Sequence, residues 1–374
     1  MQRTSQIFRE TLAAVLLLVP ATAVSTRYVP ARNTSSLSFA SALQVRLNGS
    51  QAKPAPAPAR WHGLIGEYGP DSEIIIILEQ DGKLFALFKR TQFEPLEEIS
   101  TNKFKFSADG PHSRQSVVFT RDAHGRSIQI AIERDVFKRR QIEPEAGNQL
   151  HVRPLRPVSE LMKEARAAQP PQENGEFRAS ELVELTSLDP TIRLEIRYAT
   201  TNNFLGTIFY SEPRAFMQRP AAEAVVRASR RLHAMGYGLL VHDAYRPWYI
   251  TKVFWDATPD DKKVFVADPA KGSRHNRGCA VDLTLYDLKT GKPVEMVSTY
   301  DETTARAYPA YPGGTSLQRW HRKLLRDAME SEGFTVYEAE WWHFDYKDWQ
   351  KYRIGNLTFD QIGSGGRALQ NPER

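Results

Sequence analysis

The sequence predicts an α+β domain with a central antiparallel sheet, preceded by a small all-β domain. Three observations predict it. Between residues 61 and 140, β-branched and aromatic runs alternate with Asp/Gly turns, and no helical periodicity interrupts them. Beyond residue 180, two long amphipathic stretches, 220–236 and 316–333, are interleaved with short strand-like runs. Those runs lack the regular strand–helix–strand repeat of a parallel sheet, which selects α+β over α/β.

The chain opens on leader-like text. Arg3 and Arg9 make a positive start, "LAAVLLLVP" (12–20) a short apolar stretch, and "ATA" (21–23) the small residues a signal peptidase needs. The expectation is a signal peptide over 1–23 and an exported protein, periplasmic or secreted. No later run reaches the roughly 18 apolar residues that span a bilayer, so no transmembrane segment is expected in the mature chain. Residues 24–60 end in "QAKPAPAPAR", an Ala/Pro tether that favours extended backbone.

At 374 residues, 41% hydrophobic and 25% charged, the chain has room for two domains with cores of their own. The net charge of +6 is spread along it. The densest basic cluster, "FKRR" (137–140), lacks nucleic-acid patterning, so no nucleic-acid partner is expected. Cys279 is the only cysteine, which excludes an internal disulfide.

In the β domain, "EIIIILEQDGKLFALFKR" (73–90) is two strand runs about a turn at Asp81-Gly82. "KFKFSADG" and "SVVFTRDAHGRSIQIAIE" continue in the same style, with a second turn at 122–125. The turn spacing resembles the lipocalin-like β modules appended to some secreted hydrolases. His62, His112 and His124 lie at turns without metal-ligand spacing and read as surface residues. Residues 141–180 are rich in proline and read as a linker with a short helix at 158–168.

The second domain is expected over 181–365. "TIRLEIRYA" (191–199) alternates as a strand does. "PAAEAVVRASRRLHAMG" (220–236) reads as a helix with Pro220 in its first turn and Gly236 at its C-cap. "YGLLVHDAYRP" (237–247) is a strand running into a loop, and "CAVDLTLY" (279–286) is a strand. A helix follows from a Ser316 N-cap to a Gly333 C-cap, and "FTVYEAEWWHFDY" (334–346) closes as a strand or hairpin.

Three places in this domain can supply chemistry. His275 and Asp282 flank a Gly-Cys-Ala turn; they are two metal ligands, or a loop histidine and a strand carboxylate. Asp282 stands between apolar neighbours, where a charge wants a partner. His343 sits among aromatics in "EAEWWHF" with Glu340 three positions earlier; this is a water-excluding site, or an aromatic strand with a satisfied core histidine. On a regular strand Glu340 and His343 point to opposite faces, so both serve one site only if Glu340 stands on a bend or bulge. Arg246, in "HDAYRP", is an oxyanion clamp or a salt-bridge residue. Together they form one inventory. His275, Asp282 and His343 make a zinc set, Glu340 a free carboxylate to carry a proton, and Arg246 a cation for a tetrahedral intermediate. That is what hydrolysis of an amide requires.

"SRHNRGCAVDLTL" (273–285), "EWWHF" (340–344) and "DAYRP" (243–247), with "IRYATTNNFLG" (196–206) and "PAAEAVV" (220–226), resemble the signature blocks of the VanX-type D-alanyl-D-alanine dipeptidases. These belong to a wider group of zinc D-Ala-D-Ala metallopeptidases. The resemblance covers roughly 180–350. It implies one Zn²⁺ on His275, Asp282 and His343, Glu340 as general base and acid, and Arg246 as transition-state stabiliser. It further implies that Ser273, Asp301 and Tyr198 hold the free amino end of a small dipeptide substrate, and that Cys279 is a buried small side chain. A buried carboxylate serving a substrate ammonium loses its partner when that amine is acylated, which favours a dipeptidase over an enzyme trimming long peptides. An exported enzyme has no access to a cytoplasmic dipeptide pool, so the expected role is turnover or scavenging of D-Ala-D-Ala outside the membrane. The alternative is a peptidoglycan D,D-carboxypeptidase or L,D-peptidase acting on stem peptides, with the β domain holding cell-wall fragments.

Overall fold

The computed structural model describes residues 52–141 and 151–363. The expected signal peptide, most of the tether, part of the linker and the last residues of the second domain lie outside the described residues. After a single helical turn, Ala59–His62, eight antiparallel strands follow one another. They are β1 (Gly66–Tyr68), β2 (Ile75–Gln80), β3 (Lys83–Phe88), β4 (Gln92–Ser100), β5 (Lys103–Phe106), β6 (Ser116–Arg121), β7 (Ser127–Ile132) and β8 (Asp135–Lys138). The β2–β3 turn is Asp81-Gly82 with φ of 51° and 76°, the doubly left-handed turn that matches strand twist. The meander closes on itself: Gly69 N–H donates to the Lys138 carbonyl at 2.9 Å and Arg140 N–H to the Glu67 carbonyl at 2.9 Å. Closure leaves no free edge.

The barrel interior is filled by Leu64, Tyr68, Phe104, Phe106 and Phe119, so it is a packed core and not a ligand cup. The run "IIIIL" is continuous because β2 is covered on both sides. Ile75 and Ile77 point inward, while Ile76 and Leu78 meet Val297 and Tyr311 of the second domain. His112, expected on the surface, is half-buried; it stacks on Phe88 and pairs with buried Glu94 at 2.7 Å.

The second domain carries β9 (Leu182–Glu184), β10 (Arg193–Leu194), β11 (Phe216–Gln218), β12 (Tyr237–Asp243), β13 (Ala280–Asp287), β14 (Phe334–Tyr337) and β15 (Glu340–Tyr346). Its main helices are α1 (Val158–Ala167), α2 (Arg219–His233), α3 (Trp248–Ala257) and α4 (Ser316–Glu330). The main sheet runs β10-β12-β13-β15-β14, and β9 pairs with β11 apart from it. Leu239, Val241, Val281, Leu283 and Leu285 join helix residues such as Val225 and Leu325 in one core. His242, Asp282 and Thr284 alternate with them and belong to the opposite face.

Several expectations need correction. The central sheet is mixed, because β10 pairs parallel with β12 while the other pairs are antiparallel. The expected strand at 191–199 survives only as those two residues and then turns into a 3₁₀ turn, Arg197–Ala199. The helix α2 stops at His233, short of Gly236, whose φ of 86° serves the turn into β12. The cap of α4 is Thr315 with Gln318 in a reciprocal capping box, one residue before Ser316. Helix α3 had no counterpart in the sequence reading. The segment 151–180 is no free linker: Leu161 and Ala165 of α1 are buried in the second domain's core, and Glu173 pairs with buried Arg277.

Candidate active site

The site lies at one end of the sheet, where β13 and β15 pair with Asp282 directly opposite His343. His275 arrives from the 3₁₀ turn that feeds β13, which ends on Gly278 at φ 67°. At that φ a side chain is strained, and it would also meet Leu182 Cδ2 at 2.5 Å, so the turn favours glycine. Asn276 ties this turn to the Arg246 loop by donating to the Arg246 carbonyl at 2.8 Å. Cys279 is buried, and burial pushes its thiol well above the ordinary range, as suits an inert packing residue.

Three ligand atoms converge. His275 Nε2 lies 3.1 Å from His343 Nδ1, and Asp282 Oδ1 lies 3.3 Å from the first and 3.0 Å from the second. The opposite ring nitrogens are committed. His275 Nδ1–H donates to the Ala244 carbonyl at 2.6 Å, and His343 Nε2–H to Asp345 Oδ1 at 2.9 Å. In the neutral rings this leaves two lone pairs and a carboxylate oxygen facing one another. Asp282 Oδ1 has no hydrogen-bond donor among the described residues. Such a cluster needs a cation or a proton at its centre. Tetrahedral zinc with bonds of about 2.1 Å holds its donors roughly 3.4 Å apart, so residues and spacing fit that ion. The electrostatics agree. Burial opposes charge on both groups, yet the histidines hold Asp282 far below its ordinary range, and Asp345 and Asp282 hold the His343 ring far above its own.

Glu340 opens β15, and the β14–β15 register shifts between Val336 and Tyr337. This irregularity lets Glu340 and His343 serve one site, with Glu340 Oε2 at 3.8 Å from His343 Nδ1. Burial, then the Asp282 and Asp301 charges, pushes the Glu340 carboxyl up to about 8, against His343 and Arg246. Arg246 is buried and grips Asp243 Oδ2 through Nε at 2.9 Å and Nη2 at 2.7 Å; Nη2 also lies 3.9 Å from Asp282. Tyr210 donates to the other Asp243 oxygen at 2.7 Å. The guanidinium thus reaches the cleft as a fixed, oriented donor.

Tyr198 Oη–H donates to both Asp301 oxygens, at 3.0 and 3.2 Å. Asp301 is half-buried in the cleft wall at φ 59°, a conformation that costs a non-glycine residue about 1 to 3 kcal/mol. Burial and the Asp282 charge push its carboxyl up to about 7. Ser273 lines the same cleft, its hydroxyl accepting from His275 N–H at 3.2 Å. All eight residues singled out from the sequence therefore line one cleft. The reading missed Asp243, Asn276, Tyr300 and Asp345. Tyr300 donates to Asp282 Oδ2 at 3.0 Å, and Asp345 stands two positions after His343, a spacing that puts both on one strand face.

Comparison with known proteins agrees with this geometry. Residues 178–360 match the Peptidase_M15 family, described as D-ala-D-ala dipeptidase. The D-alanyl-D-alanine dipeptidase of Escherichia coli K12 is 32% identical over 175 residues, covering 47% of this chain and 89% of the relative. The enzymes of that name from Enterococcus faecium and Enterococcus faecalis are 34% and 35% identical, each covering 42% of this chain and 87% of the relative. A solved structure of the LdcB LD-carboxypeptidase aligns at 18% identity and a TM-score of 0.27, covering 58% of this chain and 85% of that one. Among the described residues no helix is long and apolar enough to cross a membrane. With a His-Asp-His cluster whose donor atoms could hold a metal ion, and relatives matched over most of their length, the chain belongs to the D-Ala-D-Ala dipeptidase family and is a hydrolase of the metallopeptidase class.

Proposed function

We propose that this protein hydrolyses the dipeptide D-Ala-D-Ala to two D-alanines in a zinc-dependent reaction. The observation that carries the substrate assignment is the Tyr198–Asp301 pair at the cleft wall. A carboxylate there, oriented by a neutral phenol, suits the ammonium of a free dipeptide and leaves no partner for an acylated amine. The names of the relatives support the D-Ala-D-Ala assignment.

His275, Asp282 and His343 would hold the ion. Zinc at such a site supplies Lewis acidity, lowering the pKa of a coordinated water toward about 7. Glu340 takes the proton of the attacking water as its oxygen bonds to the scissile carbonyl carbon. It gives that proton to the leaving amine as the C–N bond breaks. Its raised pKa makes it a stronger base once ionised, and a bound cation would draw that value down toward neutrality. Arg246, fixed on Asp243, faces the oxygen on which negative charge develops. Asp301, Tyr198 and Ser273 orient the ammonium end.

The leader-like residues 1–23 support export, and with it turnover or scavenging of D-Ala-D-Ala outside the cytoplasm. Two measurements test the proposal. D-Ala-D-Ala hydrolysis should vanish on chelation, return with zinc, and fall about 10²- to 10⁴-fold in Glu340→Gln with the metal retained. Cell fractionation should find the mature chain outside the cytoplasm; active mature protein in the cytoplasm contradicts the export reading.

A further inference from the structure

We infer that the β-barrel is a positioning element of the substrate-amine site, acting through the loop between β13 and α4. The inference rests on the dipeptidase reading above. The family match covers 178–360, so the barrel is additional to the part shared with the relatives. Its outer face holds that loop at Val297 and again from Tyr311 to Gly314. Val297 and Tyr311 pack with Ile76, Leu78 and Leu87 in one buried apolar cluster, separate from the barrel's own interior. Tyr311 Oη–H donates to buried Glu67 at 2.8 Å. At the loop's far end, Ser316 N–H donates to Glu79 Oε2 at 2.8 Å, and Glu79 N–H to the Gly314 carbonyl at 3.1 Å.

Between these anchors the loop makes its contacts with the site. Trp341 Nε1–H donates to Ser298 at 2.9 Å, Tyr300 to the metal-ligand candidate Asp282 at 3.0 Å, and Asp301 receives Tyr198. Asp301 follows Val297 by only four positions and sits at φ 59°, in the left-handed region that aspartate tolerates better than most residues, so this turn of the loop sets the direction of its side chain. A tethered binding module meets its neighbour through a modest, polar interface. Here the contact is a buried apolar cluster with buried carboxylates, which suits a permanent brace.

Leu78→Ala/Leu87→Ala in the full chain thins this contact and leaves the barrel's interior residues untouched. The inference predicts a roughly tenfold rise in KM for D-Ala-D-Ala, with kcat at saturation and bound zinc within twofold of the unchanged protein. Hydrogen exchange should quicken in 297–304 and stay unchanged in 273–282. Leu78→Met/Leu87→Met should restore both. Tyr311→Phe should shift KM the same way by less, and it decides the matter alone if the double alanine variant does not fold. An active, folded variant with unchanged KM and unchanged exchange in 297–304 overturns the brace and leaves the dipeptidase reading standing. Absence of D-Ala-D-Ala hydrolysis in the unchanged protein overturns that reading and the inference with it.

Discussion

Asp282 and His343 face each other in direct register across β13 and β15, with 3.0 Å between Oδ1 and Nδ1. Two strand residues opposite one another are as rigidly placed as a sheet allows, so this pair would fix two of the three positions of the proposed metal site. His275 completes the set from a turn locked by Gly278.

The orientation of His343 depends on Asp345, which accepts from its far nitrogen at 2.9 Å. Asp345→Asn should therefore weaken zinc binding by about 10- to 100-fold while the fold stays intact. Competition against a metal indicator, with circular dichroism alongside, measures both.

Arg246 carries two roles that substitutions separate. Arg246→Ala strands the buried Asp243 carboxylate and should cost about 3 to 5 kcal/mol of stability in urea unfolding, together with roughly 10²- to 10³-fold in kcat. Arg246→Lys keeps the charge but loses the planar fork. It should recover part of the stability and little of the rate.

The Asp301 carboxyl, pushed up to about 7, must be ionised to pair with an ammonium. A raised acid pKa means that the charged form is lost as pH falls through that value, and a bound cation draws the value down. KM for D-Ala-D-Ala should thus climb on the acid side, beginning at or below pH 7. In Asp301→Asn the acid limb should vanish and KM stay high throughout. Steady-state kinetics from pH 5 to about 8 reads this directly.

Stability should have its own pH dependence. His242 and His321 are buried, and burial lowers both to about 4 from 6.5, with the nearby Arg197 charge adding to the effect on His242. Folding therefore favours the neutral rings. Their contribution is complete above about pH 6.5 and is lost as pH falls toward 4, by up to roughly 3 kcal/mol for each. Between pH 7.5 and 5 this loss runs against the gain from the raised Glu340 and Asp301 carboxyls, which favour folding as they take up protons. The histidine part is therefore read by difference: the urea midpoint of His321→Gln should fall less, or rise more, than that of the unchanged protein over this range.

The convergence of the candidate site residues on one cleft was legible because they are concentrated in short motifs. His275, Asp282, His343 and Glu340 sit in two segments whose spacing reflects one turn and one strand pair. Tyr210 and Tyr300 were not legible, since they reach the site only through tertiary packing, while Asp243 and Asn276 stand inside the quoted motifs beside Arg246 and His275 with nothing in the sequence to show what they hold. The hairpin at Asp81-Gly82 could be read because turn chemistry is local. Barrel closure could not, because it joins residues about seventy positions apart. Helix α3, "WYITKVFWDA", is buried on most of its circumference and so shows no amphipathic stripe to detect. Proline density around α1 suggested a linker, yet Pro157 stands immediately before that helix, where proline is at home. The Thr315–Gln318 capping box was present as T-x-x-Q, one residue ahead of the serine taken as the cap.

The most direct test of the central claim compares free and N-acetylated D-Ala-D-Ala as substrates of the zinc-loaded protein, with Glu340→Gln as control. The account predicts hydrolysis of the free dipeptide, a loss of at least about 10²-fold on acetylation because the half-buried Asp301 loses its charged partner, and little turnover of either by the variant. Equal or faster cleavage of the acetylated substrate would contradict the account and point to an enzyme that trims stem peptides.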